Sequence, residues 1–287
     1  MQIVSDRGMD LSVEQMAGLD IHLVPLILTL DGKSYRSGVD IQPDEFYHLL
    51  EATEDFPTTS QPSAADFAEM YRRLAATDPD ILSIHISSGL SGTINAAQAG
   101  ATMTPEANVT IVDTKTLSAA EGWQVEAAAR AVKAGWSKER ILELVERVRA
   151  ATDTLYTLAT LKYLIHGGRI SHLKGLVASV LNIKPLIGVE KVGGTYVQHG
   201  QARTLDKAIL KMADHVAERY APGTAMRLQV LHGDNARGAA LLRERLEQLF
   251  KCAWLPTGPI APVLGAHTGP GLVGVVFAPQ AAFPDMP

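Results

Sequence analysis

A run of serine and glycine, Ser87-Ser88-Gly89-Leu90-Ser91-Gly92-Thr93, has residue types well suited to bind an anion. It directly follows an apolar run that predicts a strand and directly precedes a predicted helix. Such a loop presents backbone N–H groups and hydroxyls at the positive end of the helix dipole. It is not a Walker A loop, because no lysine follows the second glycine, and it lacks the final glycine of a nucleophile elbow. The run therefore predicts a phosphate or carboxylate site, and an ordinary capped helix start is the alternative.

Two further polar segments could join this site. Thr58-Thr59-Ser60-Gln61-Pro62-Ser63 places hydroxyls ahead of a helix that Ser63 is positioned to cap, and taken alone it is typical of a polar loop. Asp113-Thr114-Lys115-Thr116-Leu117-Ser118 follows a predicted strand and would lie at the same carboxyl edge of a sheet. Ligands gather at that edge in open α/β sheets. Three polar loops together indicate a binding site more strongly than any one of them.

The second half of the chain offers one framed cation and one framed histidine. Arg169 stands in Gly167-Gly168-Arg169-Ile170-Ser171, where a surface arginine after a helix end is the equal alternative. His267 stands in Gly265-Ala266-His267-Thr268-Gly269-Pro270-Gly271, which we interpret as a loop shaped by glycine and proline. The sequence has no His-x-x-x-His pair and no carboxylates clustered with histidines. It therefore predicts no metal site.

The elements that must position these residues differ between the two halves. In the first half, short β-branched runs alternate with amphipathic stretches, which is typical of βαβ units and a parallel sheet. The predicted strands there are Gln2–Ser5, Ile21–Thr29, Ile81–Ile86 and Val109–Val112. The predicted helices are Asp66–Ala76, Asn95–Thr102, Ala119–Ala134 and Lys138–Ala151.

In the second half, hairpins mixed with helices predict an α+β arrangement with a mixed sheet. Predicted strands include Lys184–Gly188, Glu190–Val192, Thr195–His199, Met226–Leu231 and Leu272–Ala278. We therefore expect an α/β protein of two domains: an N-terminal parallel-sheet α/β domain (residues 1–152) with the anion-binding loops, and a C-terminal α+β domain (residues 153–287).

Composition narrows the class of protein. The 287 residues are 46% hydrophobic and 20% charged, as in soluble globular proteins. A formal net charge of -5 argues against a nucleic-acid partner. A single cysteine, Cys252, permits no intrachain disulfide and fits a reducing compartment. No signal peptide and no apolar run near the roughly 20 residues of a membrane span is evident, so we expect a soluble cytoplasmic protein.

Six motifs in order resemble those of the DegV family, bacterial fatty-acid-binding proteins that include the FakB subunits of fatty acid kinase. They are Ile3-Val4-Ser5-Asp6, Thr59-Ser60-Gln61-Pro62-Ser63, the serine–glycine run, Val112-Asp113-Thr114, Gly167-Gly168-Arg169-Ile170-Ser171 and His267-Thr268-Gly269-Pro270-Gly271. The resemblance covers essentially the whole chain. Two residues depart from it: Arg7 stands where Ser or Thr is usual, and His166 where lysine is common.

The resemblance implies a non-catalytic protein that holds one palmitate-like long-chain fatty acid and needs no cofactor. The carboxylate would lie between the domains at Thr59, Ser91 and His267, and the acyl tail would enter the second domain. Four residues would lie nearby or face a partner kinase, which makes acyl phosphate from ATP: Ser60, Gly92, Thr93 and Arg169. We expect a role in lipid transport and fatty acid metabolism, and a monomer with no stable membrane insertion.

Apolar segments of the second half, Leu173–Ile183 and Leu155–Leu164, are rich enough to line a tail pocket, although an ordinary core gives the same pattern. Two other classes of function stay open. One is a serine hydrolase using Ser91 and His267, for which no motif supplies the carboxylate that would orient the histidine. The other is a sensor that binds a small phosphorylated metabolite.

Overall fold

The structure is a computed structural model that describes residues 1–173 and 183–283. In the first half the strands are β1 (Gln2–Asp6), β2 (Ile21–Val24), β3 (Ile27–Leu30), β4 (Lys33–Arg36), β5 (Thr58–Ser60), β6 (Asp80–His85) and β7 (Asn108–Asp113). The helices are α1 (Val13–Met16), α2 (Pro43–Glu51), α3 (Ala64–Ala75), α4 (Thr93–Thr102), α5 (Ser118–Lys133) and α6 (Lys138–Ala151).

In the second half the strands are β8 (Asp153–Thr157), β9 (Lys184–Val189), β10 (Tyr196–Ala202), β11 (Ala225–His232), β12 (Lys251–Trp254), β13 (Gly258–Pro259) and β14 (Val273–Pro279). The helices are α7 (Lys162–His166), α8 (Leu205–Arg219), α9 (Ala236–Leu249) and α10 (Pro262–Thr268), with 3₁₀ turns at Arg169–His172 and Gln280–Ala282. No helix in the described part of the chain is long and apolar enough to cross a membrane.

Three sheets organise these elements. The order β2-β1-β6-β7 forms a wholly parallel sheet, and β4-β3-β5 forms a small antiparallel one. The order β10-β9-β8-β14-β11-β12 forms a mixed sheet, in which β11 is parallel to β12 and β13 and antiparallel to β14. The two-domain α/β fold with an N-terminal parallel sheet and a C-terminal mixed sheet is thereby confirmed. The boundary between residues 152 and 153 stays a prediction.

Helix α5 lies between the two large sheets. It packs against β1 and β6, while Trp123 Nε1 donates a hydrogen bond of 2.7 Å to Gln229 on β11. Glu126 accepts a hydrogen bond of 3.1 Å from Arg227 on the same strand. Runs of alanine let this helix be buried on nearly all sides. The mixed sheet is thus held against the parallel sheet through one central helix.

Several sequence predictions are wrong in detail. The strand predicted over Ile21–Thr29 is two strands in different sheets, because Pro25 has no N–H to continue a ladder. The segment predicted as strand Glu190–Val192 is a turn, in which the Glu190 carboxylate accepts hydrogen bonds from the N–H groups of Val192 and Gly193. Most of the predicted tail segment Leu173–Ile183, residues 174–182, lies outside the described residues.

Candidate functional site

Thr59 and His267, 208 residues apart in sequence, meet in a hydrogen bond of 2.7 Å between Oγ1 and Nε2. Thr59 is held by β5, where it pairs with Leu28 of β3. His267 is the penultimate residue of α10, so the prediction that it lies in a loop is wrong. Pro262 is preorganised for the first turn of this helix, and Gly269 with φ +68° ends it.

Burial keeps the imidazole neutral. Desolvation, assisted by the positive charge of Arg169, lowers the pKa of His267 from 6.5 to about 4. The other ring nitrogen, Nδ1, is buried and has no hydrogen-bond partner among the described residues. An orphaned acceptor is tolerated better than an orphaned N–H. The favoured tautomer therefore carries its proton on Nε2 and donates it to Thr59, which leaves the threonine proton free for a ligand oxygen.

Gly167 covers the imidazole. A Cβ on residue 167 would lie 2.1 Å from Nδ1 of His267, so only glycine fits there. The next residue, Gly168, has φ +74° and turns the chain into Arg169, whose Nη1 donates to the Gly167 carbonyl at 2.8 Å. The half-buried Arg169 guanidinium thus lies close enough to act electrostatically on both His267 and Tyr196. The double glycine fixes a cation beside the imidazole.

Ser91 lies in the adjoining loop. Its Oγ is 2.9 Å from Oγ1 of the buried Thr93, at the start of α4. A Cβ on Gly92 would lie 3.0 Å from the side chain of Gln61, so this loop rests against the segment that follows β5. In the described ranges Ser91 bonds within its own loop and does not bond to Thr59 or His267. Ser60, the next residue of β5, is exposed.

The first half of the serine–glycine run contacts another loop of the protein, although its composition suggests an anion site. Ser87 Oγ donates to the carbonyl of Gly194 at 2.8 Å, in the turn between β9 and β10. A Cβ on Gly89 would lie 2.5 Å from the carbonyl oxygen of Gly193. This turn, residues 190–195, therefore docks on the loop. The hydroxyl groups of Ser91 and Thr93 are not used by this turn.

The third polar loop does meet the serine–glycine run. Asp113 accepts a hydrogen bond from the N–H of Ser88 at 3.2 Å and forms an ion pair of 2.8 Å with Lys115. These bonds hold the pKa of Asp113 below its ordinary value, although burial opposes them. The loops that follow β6 and β7 converge at the carboxyl edge of the sheet. The polar groups of the loop after β7 form hydrogen bonds and an ion pair that hold the serine–glycine run in place.

A narrow apolar cavity of about 50 Å³ is bordered by His267 and lies between the start of α5, the mixed sheet and α10. Ser118 and Thr268 are among its few polar neighbours. Its apolar wall is formed by Leu117, Tyr156, Tyr196, Leu231, Ile260, Leu264, Leu272 and Val276. The imidazole that bonds Thr59 therefore also faces an apolar space.

Several residues of this arrangement were missed by sequence reasoning. The sequence shows Gly167 only as a neighbour of Arg169, and nothing in it indicates that this glycine packs on an imidazole. Tyr196 and Leu117 line the cavity, but their spacing does not distinguish them from ordinary core residues. Of the predicted tail-lining segment Leu155–Leu164, Tyr156 borders the cavity, whereas Leu155 packs into the core on the other face of the mixed sheet.

Comparison with known proteins gives consistent matches over nearly the full length. A family model described as an uncharacterised protein of the DegV family matches residues 1–280. A DegV domain-containing protein of Staphylococcus aureus is 35% identical over 274 residues, which cover 96% of this chain and 97% of that protein.

Two solved structures show the same fold. A fatty-acid-binding DegV family protein from Thermus thermophilus superposes with a TM-score of 0.87 at 31% identity and covers 97% of this chain and 99% of its own. DegV of Bacillus subtilis, described as a fatty acid binding protein, gives a TM-score of 0.87 at 26% identity with the same coverage.

Proposed function

Because the chain belongs to the DegV family, we propose that it binds one long-chain fatty acid, with the carboxylate at Thr59 and the acyl chain in the cavity beside His267. The observation that carries the proposal is that the neutral imidazole of His267 borders an apolar cavity and is bonded at 2.7 Å to the hydroxyl of Thr59. Polar groups at one end of an apolar space match a ligand with a carboxylate head and an apolar chain.

The head group has a donor set of suitable chemistry. Thr59 has a free hydroxyl proton, Ser91 lies in the adjoining loop, and Arg169 supplies positive charge nearby. Hydrogen bonds to a charged carboxylate are stronger than neutral ones, at about 1.5–3 kcal/mol net each. The domains divide the work: the first supplies the hydroxyls, and the second supplies His267, Arg169 and most of the tail cavity.

The tail supplies most of the affinity. About 15 methylenes at about 0.8 kcal/mol each give on the order of 12 kcal/mol before the cost of ordering the ligand. The cavity of about 50 Å³ is smaller than the roughly 300–1,000 Å³ of typical ligand sites. Binding therefore requires the lining side chains to move apart. Because palmitate would bind the folded state only, we expect it to raise the melting temperature of the protein.

Titration calorimetry of the delipidated protein tests the head-group assignment. Palmitate should bind at one site, and Thr59→Ala should weaken it by about ten- to a hundredfold, the equivalent of one charged hydrogen bond. Thr59→Ser keeps the hydroxyl and should retain wild-type affinity. Hexadecanol, which has the tail without the carboxylate, should bind less tightly than palmitate. Unchanged affinity in Thr59→Ala would place the carboxylate elsewhere.

We further propose that the protein presents the carboxylate to a partner kinase, acts as a monomer in the cytoplasm and performs no catalysis itself. The geometry supports a non-catalytic role over the hydrolase alternative, because His267 bonds Thr59 rather than Ser91 and no carboxylate of the described residues orients its Nδ1. Arg169 lies partly exposed at the rim, and arginine suits phosphate recognition. Arg169→Ala should therefore reduce acyl phosphate formation by the kinase more than it reduces palmitate affinity; equal losses would contradict this role.

A further inference from the structure

A second cleft lies apart from the carboxylate site. It has a volume of about 420 Å³ and runs between the segment that follows β1 and the chain around β13. This volume falls in the roughly 300–1,000 Å³ range of small-molecule sites. Its walls are largely apolar and include Met9, Leu11, Leu23 and Leu231. Leu231 also borders the apolar cavity beside His267, so the cleft and that cavity share a wall.

Arg7 supplies the positive charge that lines this cleft. Its Nε is shielded from solvent, and in the described ranges it has no hydrogen-bond or ion-pair partner. Gly38, with φ +70°, makes room for the side chain, since a Cβ there would lie 3.1 Å from Nη1. A half-buried cation that has lost water without gaining an acceptor is held at a cost in free energy. An anionic ligand would remove that cost.

The two carboxyl groups of the cleft act differently on a bound anion. Asp10 is engaged by Ser118 Oγ at 2.5 Å and by the N–H of Ala261 at 2.7 Å, so it does not pair with Arg7. Glu14, exposed at the edge, adds a negative charge. The charge of Glu14 repels a dianionic phosphate more strongly than a carboxylate, which the guanidinium fork can bind with two hydrogen bonds.

We propose that this cleft binds a small monocarboxylate with a compact apolar body, its carboxylate on Arg7 and its body against Met9, Leu11 and Leu23. The site is separate from the one at Thr59 and His267. It depends on Arg7, which lies outside the six motifs that carry the DegV resemblance.

Two-dimensional ¹H–¹⁵N NMR of the full chain, saturated with palmitate, tests the proposal through the amides of Gly38 and Gly258. The carboxylate probe is 4-phenylbutyrate, with 4-phenyl-1-butanol and phenyl phosphate as its neutral and dianionic counterparts. 4-Phenylbutyrate should shift both amides and bind at least tenfold more tightly than either counterpart. Arg7→Gln should weaken it at least tenfold, whereas Arg36→Gln, which removes an exposed arginine paired with Asp40, should not.

The variants separate this site from the fatty-acid site. His267→Ala should leave 4-phenylbutyrate binding unchanged, so a failed fatty-acid proposal leaves this one standing. Arg7→Lys keeps the charge without the planar fork and should bind with intermediate affinity; it decides the case if Arg7→Gln does not fold. Equal binding by wild type and the Arg7 variants, tighter binding of phenyl phosphate, or a loss confined to His267→Ala would overturn the proposal.

Discussion

His267 can lie where it does because residue 167 is a glycine. Replacing Gly167 by alanine would put a methyl group 2.1 Å from Nδ1, so the imidazole must rotate away from Thr59. We predict that Gly167→Ala weakens palmitate binding about as much as His267→Ala does, by calorimetry. Gly168→Ala is the matched control, because its Cβ meets open space and only the backbone at φ +74° is strained. Similar affinities for Gly167→Ala and wild type would show that the imidazole does not position the ligand.

Asp10 makes stability depend on pH with an unusual sign. Burial raises the pKa of its carboxyl from 3.8 to about 7, so the folded chain holds a proton that the unfolded chain releases. The stabilisation is complete below the unfolded pKa and is lost as the pH rises toward 7. Asp10→Asn imitates the protonated form, since its amide can donate to Ser118 and accept from Ala261. The free energy of unfolding of wild type relative to this variant should therefore fall between about pH 4 and pH 7.

Urea denaturation across that range measures the difference. Asp40→Asn is the control of opposite sign, because the bonds from Arg36 lower the pKa of this exposed carboxyl to about 2. The stability of wild type relative to Asp40→Asn should not fall over the same range. A wild-type to Asp10→Asn difference that stays constant or rises with pH would contradict the assignment of a raised pKa to Asp10.

Residue chemistry on its own revealed part of the site. Hydroxyl-rich loops, a glycine-framed arginine and a framed histidine were visible as types, and the structure brings Thr59, His267 and Arg169 together. Their roles toward a ligand stay predictions. Ser87 shows where composition misleads: its hydroxyl suits an anion equally well, but a turn 107 residues away occupies it. Such long-range partners leave no mark in local sequence.

At the scale of elements, the turn between β9 and β10 fastens the mixed sheet to the serine–glycine loop. Gly194, at φ +68°, is its tightest point, because a Cβ would lie 2.0 Å from Ser87 Oγ. We predict that Gly194→Ala lowers the melting temperature by several degrees and speeds hydrogen exchange at the Ser87–Ser91 amides. Gly223→Ala has a similar backbone angle, φ +84°, but open space around it, and should lower the melting temperature less. Equal effects of the two substitutions would mean that contact between this turn and the serine–glycine loop does not stabilise the protein.

Elements with strong periodicity or caps were predicted well, and those set by distant contacts were not. Ser63 caps α3 in a box with Asp66, and α6 begins and ends where predicted. By contrast, β5 is a three-residue strand of hydroxyls, a composition typical of loops, and it exists because β3 pairs with it. Helix α10 is short, and Pro256 and Pro259 stand just before it, so nothing local distinguished it from a loop.

For the whole molecule, the type of the large sheet in each half was predictable because βαβ alternation and hairpins leave different patterns along the chain. How the two sheets face each other was not predictable. That arrangement depends on α5, whose alanine-rich surface packs on both sides and whose Trp123 reaches the mixed sheet. The apolar cavity bordered by His267 forms between these layers, so the candidate site exists only in the assembled molecule.

Native mass spectrometry of the full chain purified from a bacterial host tests the central claim most directly. The account predicts one bound fatty acid of about 14 to 18 carbons per chain. The fraction of protein that carries lipid should be lower in Thr59→Ala and His267→Ala, and added palmitate should raise it to the wild-type level. A chain that carries no lipid and takes up no added palmitate would contradict the account, as would a bound phosphorylated metabolite in place of the fatty acid.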